Sequence, residues 1–442
     1  MPTAFYRFLL KSVPIHPKKS LTLCLRTMDK ILIKNARVVF PGQPENGQSL
    51  DILIENGKVA QTGTGITDSD AREVSVSDLH IAPGFFDFSV TVPEPGFEYK
   101  ETIESACRAA KKGGITSFVL MPDGVPCNDN KGITEFRLRK ADYSGVKVYP
   151  AGALSKGMEG KELSEMYDLT SVGCRVFSDN KNRIKNTKLL QLALLYAKPF
   201  GGLVMHTPGD AYVAQNGVMN ESEVSARLGL RGIPMLSEEL GIQRDLYLAE
   251  YCDTRIVLGP ITGARSVEII REAKKKGIQV TAYTAPQYIL LQEEELATYD
   301  SNVKLDPPLR SSADAEALKA ALADGTLDFL VSDHTPEDAE HKMVEFEHAS
   351  FGMIGLETFF SLSRTALEKE KIEKVVELLS INPRKTLDIE VPNLQEGSRA
   401  EFVLFQPHET ISYSENDLES LSKNSPFLGK ILQGKVIESI IG

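Results

Sequence analysis

The chain is poor in the residues that make crosslinks and metal ligands. Its five cysteines, Cys24, Cys107, Cys127, Cys174 and Cys252, are scattered through 442 residues with no Cys-x-x-Cys pair. This spacing excludes a disulfide framework and a zinc knuckle and points to a reducing, cytoplasmic setting. Only seven histidines occur, His16, His80, His206, His334, His341, His348 and His408. No run of about 18 apolar residues exists, so no segment reads as a membrane-spanning helix. Basic charge is also in deficit: 50 Lys and Arg face 61 Asp and Glu, for a net charge of -11. That balance excludes a generic nucleic-acid-binding surface.

Acidic residues are missing from the first 27 positions, which carry Arg7, Lys11, Lys18, Lys19 and Arg26. A weak organelle-targeting composition is one reading. The plainer one takes residues 1–27 as an over-called start, with Met28 opening the chain proper.

What remains is ordinary globular composition patterned into two kinds of strand. From Lys30 to Ile81, short alternating segments separated by Asn-Gly turns (ILIKNARVVF, SLDILIENGKVAQTG, EVSVSDLHIAPG) predict a small β unit. EFVLFQP and GKILQGKVIESI near the C-terminus have the same character. Between them, eight mostly continuous apolar runs alternate with helical patterns. They begin near Phe85, Ile115, Lys147, Cys174, Leu203, Arg255, Ile278 and Asp328. Eight strand–helix units over about 250 residues predict a (β/α)8 barrel. The expected division is an α/β barrel over 83–389 and a small β-sandwich built from both chain ends, 28–82 plus 390–442. Barrel chemistry sits at the C-terminal strand ends, which places Ser89, Thr91, Asp123, Asp179, His206, Pro260 and Asp333 under scrutiny.

The strand ends read PGFFDFSVTVPEPGFEYKETIES, GLVMHTPGD, LDPPLRSSAD and LVSDHTPEDAEHK, and in these segments the sequence resembles the dihydroorotase family. PGFFDFSVTVPEPGFEYKETIES is similar to the family's P-G-x-x-D-x-H-x-H-x-R-E-P-G. GLVMHTPGD matches its D-H-C-E-D strand, LDPPLRSSAD its N-P-P-L-R and LVSDHTPEDAEHK its T-D-H-A-P-H. FGMIGLET, INPRKTL and NSPFLGKILQGKV also fit, so the likeness runs from about Asp29 to the C-terminus. It implies a cyclic amidohydrolase of pyrimidine biosynthesis, in which divalent metal activates water and polarises the amide carbonyl.

Carried over position by position, the family's site is half missing. The two His of H-x-H fall on Ser89 and Thr91, and the sixth-strand His falls on Pro260. Retained are the bridging carboxylate at Asp179, the fifth-strand His206 and the last-strand Asp333, the family's acid/base. Hydroxyls are poor zinc ligands, and a catalytic zinc generally needs three protein ligands. The substrate-carboxylate grip is changed as well. The family's Arg is Pro93, and three further substrate-facing positions are Asp123, Asp306 and Glu337. Losing an Arg–carboxylate contact forfeits about 1.5–3 kcal/mol, and the added acids would repel an anionic substrate. Asp179 and Asp333 could equally serve as hydrogen-bonding groups of the barrel top, and His206 as a satisfied core histidine. His341 and His348 fall in a charged loop and read as solvated. His334 is expected to point away from its neighbour Asp333 on an extended segment. Asp87 reads as a structural hydrogen-bonding residue at the barrel start.

Three functional readings stay open. The first is a non-catalytic homologue that supports aspartate carbamoyltransferase, as the resemblance implies for inactive family members. The second is a hydrolase with one divalent ion, zinc, on Asp179, His206 and Asp333. The third is a small-molecule binding protein whose Asp123, Asp333 and Glu337 take a cationic ligand. The expectation is the first, with no cofactor, as a homo-oligomer without nucleic-acid or membrane partners.

Overall fold

The computed structural model describes residues 30–142 and 144–442; the expected extension 1–27 and Met28 lie outside the described residues. The first five strands, β1 (Lys30–Val38), β2 (Ser49–Glu55), β3 (Lys58–Gly63), β4 (Arg72–Val74) and β5 (His80–Pro83), belong to one sheet. Eight barrel strands follow: β6 (Phe85–Val90), β7 (Ile115–Leu120), β8 (Lys147–Gly152), β9 (Val176–Phe177), β10 (Leu203–His206), β13 (Ile256–Leu258), β14 (Val280–Thr284) and β15 (Phe329–Leu330). A two-strand ribbon, β11 (Met219–Asn220) with β12 (Gly232–Ile233), is inserted after β10, and β16 (Glu401–Ser412) and β17 (Ile431–Ile441) close the chain.

The barrel strands pair in parallel in the order β15-β14-β13-β10-β9-β8-β7-β6. All six residues of β6 and of β7 are buried. Such two-sided burial is why these strands read as continuous apolar runs. The seam between first and last strands is bridged at Val90 and His334. Asp87 helps to hold it, with Oδ1 accepting from Ser332 N (3.1 Å) and Ser89 N (3.3 Å). Burial pushes the Asp87 carboxyl up to about 7.

The two chain ends form a seven-stranded sheet, β17-β16-β5-β1-β2-β3, with β4 alongside β1. The expected sandwich therefore takes the form of one continuous sheet. It encloses its own apolar core of Ile33, Val38, Phe40, Ile52, Phe402 and Leu404. A buried polar clamp ties the sheet to the barrel. Glu401 accepts from Arg384 Nη2 at 2.6 Å and Lys147 Nζ at 2.9 Å, and Arg384 Nη1 donates to Gly84 O at 2.6 Å. Between β16 and β17 the chain leaves the sheet for the barrel. There Ser422 donates to Lys100 O, and Asn424 to Thr335 O and Gly352 O.

Candidate active site

The residues at the barrel's C-terminal face are positioned by strand ends and by unusual backbone. Asn180 and Asp333 both adopt left-handed conformations, with φ of 48° and 51°. Such conformations in non-glycine residues mark sites the surrounding structure over-determines. At Asp333 this replaces the extended segment expected from the sequence. His334 still turns away: its Nδ1 accepts from Gly355 N at 3.2 Å, and its ring is fully buried. Burial holds its pKa down at about 3, so the imidazole is neutral with its proton on Nε2.

Each retained family position is already engaged. Asp179 Oδ1 accepts from the backbone N–H groups of Leu154 and Ser155, both at 2.9 Å, and Oδ2 from the Ser155 hydroxyl. Burial raises the Asp179 pKa, opposed by these hydrogen bonds. His206 bonds Asp245 Oδ2 through Nδ1 at 2.6 Å, while its Nε2 accepts from Ile184 N at 3.2 Å. Both partners fix the ring as the Nδ1–H tautomer. Asp245 reaches it because Gly241, one turn earlier in the helix Met235–Cys252, presses on the backbone of Gly209, where a Cβ would collide. Asp333 is held by Lys181 Nζ on Oδ1 at 2.6 Å and by the Tyr288 hydroxyl on Oδ2 at 3.1 Å. Burial raises its pKa and Lys181 offsets only part of that.

The positions where imidazoles are missing are also engaged or lack a donor. Thr91 Oγ1 accepts from Asn180 Nδ2 at 3.0 Å, and the same amide group donates to Asp123 Oδ2 at 2.7 Å. Ser89 meets the buried Tyr283 hydroxyl. Pro93 and Pro260 are buried and offer no side-chain donor.

The added acids are not bare charges, which corrects the expected repulsion of anions. Asp306 is gripped in a bidentate pair by Arg183, with one contact at 3.1 Å, and Lys181 Nζ reaches its carbonyl at 2.8 Å. Burial pushes the Asp306 carboxyl up, but Arg183 more than offsets it and the net shift is downward. Glu337 pairs with Lys100 at 2.7 Å. Asp333 and Glu337 are thus paired with cations, while Asp123 meets the neutral Asn180 amide. His341 pairs with Asp338 and is exposed. Glu337, Asp338 and His341 are the only three potential ligands to converge among the described residues, and Glu337 is already committed to Lys100.

Lys181, Arg183, Asn180, Asp245 and Tyr288 were not singled out from the sequence. The signal for three of them was present: FSDNKNR places them within four residues of Asp179, at a strand end where barrel chemistry gathers. Asp245 and Tyr288 sit within helices far along the chain and carry no local sign.

The fold is a (β/α)8 barrel with a small sheet built from both chain ends. The L-hydantoinase (dihydropyrimidinase) from Arthrobacter aurescens superposes with a TM-score of 0.82 over 94% of this chain and 95% of that one, at 21% identity, a likeness of fold. Residues 79–262 match the dihydro-orotase-like family model. The dihydroorotase of Syntrophus aciditrophicus is 39% identical over 417 residues, covering 93% of this chain and 98% of its own. That of Geobacter metallireducens is 40% identical over 416 residues, with the same coverage. The chain belongs to the dihydroorotase family.

The family resemblance implies divalent metal, and the residues present do not fit it. A two-ion centre needs imidazoles at positions 89, 91 and 260, and a one-ion remnant needs a free nitrogen on His206. That nitrogen accepts a backbone N–H instead. The Lys181 ammonium, at Asp333, supplies positive charge at a metal-ligand position, and a cation there opposes a second one by Coulomb repulsion.

Proposed function

We propose that this chain is a non-hydrolytic member of the dihydroorotase family that supports aspartate carbamoyltransferase as a structural partner. The observation that carries the first half is the pairing of Lys181 with Asp333, the position that serves the family as metal ligand and acid/base. Without metal-activated water and with that carboxylate neutralised, no group at the mouth is placed to open a cyclic amide. The retained barrel, small sheet and clamp support the second half, in which the fold is kept for its surfaces; the choice of partner rests on family analogy. A cytoplasmic setting accords with four buried, unpaired cysteines among the described residues; no helix there is long and apolar enough to cross a membrane.

The test is turnover of dihydroorotate by purified protein supplied with zinc or manganese, run beside an active relative. We expect none above background. Measurable, metal-dependent turnover lost in His206→Ala would favour the altered one-ion hydrolase. Co-purification with aspartate carbamoyltransferase from the native cell, absent for an unrelated bait, tests the partnership.

A further inference from the structure

Beside the degenerate mouth, three strand-end loops enclose an open cleft of about 820 Å³. None of the family's substrate positions, Pro93, Asp123, Asp306 or Glu337, lines it. Its walls carry Lys161, Lys181, Arg183 and Lys185 against a single acid, Glu159. The carboxylates of Asp306 and Asp333 lie behind this wall and fix Arg183 and Lys181 from within. Lys161 pairs with Glu159 at the exposed rim, with the two side chains 76% and 59% exposed. Lys185 meets no carboxylate among the described residues and rests over the Tyr212 ring, 5.3 Å from its centroid. Tyr212 itself is 70% exposed and flanks the cleft beside the lining residue Ala211, without lining it.

The other donors are amides, from Asn182, Asn186, Gln215 and Asn216. Asn186 also caps the helix Thr187–Ala197, whose positive end therefore opens at the cleft. Cationic groups held from behind, an unpaired lysine, several amide donors and one exposed aromatic ring form a consistent set. Lysines suit phosphates as point charges. A tyrosine face stacks on a base, and the volume suits a ligand of nucleotide size.

We propose that this cleft binds a nucleoside polyphosphate, with phosphates on Lys161 and Lys185 and the base against Tyr212. The proposal stands apart from the hydrolysis question, because neither Lys161 nor Lys185 touches Asp179, His206 or Asp333.

The test is calorimetric titration of the full-length protein with ATP, pyrophosphate and adenosine, at low and at physiological salt. ATP should bind more tightly than pyrophosphate, and adenosine most weakly, with ATP affinity falling as salt rises. The double variant Lys161→Glu/Lys185→Glu should weaken ATP binding at least about tenfold, with circular dichroism and the unfolding midpoint unchanged. Tyr212→Ala should bring ATP down to the affinity of pyrophosphate. Absence of binding for both ATP and pyrophosphate would overturn the proposal. So would ATP binding insensitive to the double charge reversal, or displacement of ATP by dihydroorotate, which would make the cleft part of the family's substrate pocket.

Discussion

Replacing Lys181 by methionine removes the cation on which the reading of this barrel mouth turns. In the folded protein its ammonium lies 2.6 Å from Asp333 Oδ1 and 2.8 Å from the Asp306 carbonyl. The Asp333 side chain is 6% exposed and that of Lys181 21%. Removing one partner of a fully buried pair costs about 3–5 kcal/mol. Partial exposure of Lys181 admits water to the remaining carboxylate, so about 1–3 kcal/mol is the expected loss. For a chain of this length that corresponds to a fall of about 1–3 °C in the unfolding midpoint. Denaturant titration and thermal scans of wild type, Lys181→Met, Asp333→Asn and the double variant would measure it. Asp333→Asn should recover most of the loss, because it removes the stranded charge, leaving a coupling of about 1 kcal/mol or more. Were the mouth a strained catalytic site, removing its lysine would leave stability unchanged or raise it. Strictly additive effects, or a Lys181→Met protein as stable as wild type, would refute a structural ion pair.

Other buried contacts have consequences of the same kind. Glu401 has its carboxyl held down at about 2 against an ordinary 4.5; burial acts against this, but Arg384 and Lys147 outweigh it. Its folded-state pKa is depressed, so its contribution is full above about 4.5 and is lost as pH falls toward 2. Glu401→Gln should flatten acid unfolding across that window, while Glu401→Ala, which strands the buried Arg384, should cost about 3–5 kcal/mol at neutral pH. His206→Ala or Asp245→Ala should each lower stability by about 1.5–3 kcal/mol, equally with and without zinc; a zinc-dependent rise in the wild-type midpoint would contradict the hydrogen-bonded role of His206. Lys304, buried and donating to the carbonyls of Phe346, Glu347 and Ala349 at 2.7, 3.0 and 2.7 Å, holds the loop after the last barrel strand. Lys304→Met should speed proteolytic cleavage between residues 343 and 352, with cutting elsewhere unchanged.

Eight apolar runs with polar ends were enough to place every barrel strand, because strands covered on both faces leave no alternation to misread. The loss of imidazoles at Ser89, Thr91 and Pro260 was equally legible, since ligand chemistry depends on residue type. Pairing was not. Asp306 and Glu337 read as added negative charge because Arg183 and Lys100 lie 123 and 237 residues away in the chain. Only the closed barrel brings them together. His206 could be read as ligand or core histidine, and the choice hangs on Asp245, whose approach needs the Gly241–Gly209 contact. The left-handed turn at Asp333 had no sequence signal, since positive φ is uncommon in any non-glycine residue, aspartate included.

The most direct measurement is metal content of the protein purified and desalted after incubation with zinc, read by mass spectrometry beside an active dihydroorotase treated alike. A mouth in which His206, Asp179 and Asp333 are bonded within the protein should retain far less than one ion per chain, with no change on His206→Ala. Stoichiometric zinc that disappears in that variant would show that these side chains turn toward metal, and would contradict the account.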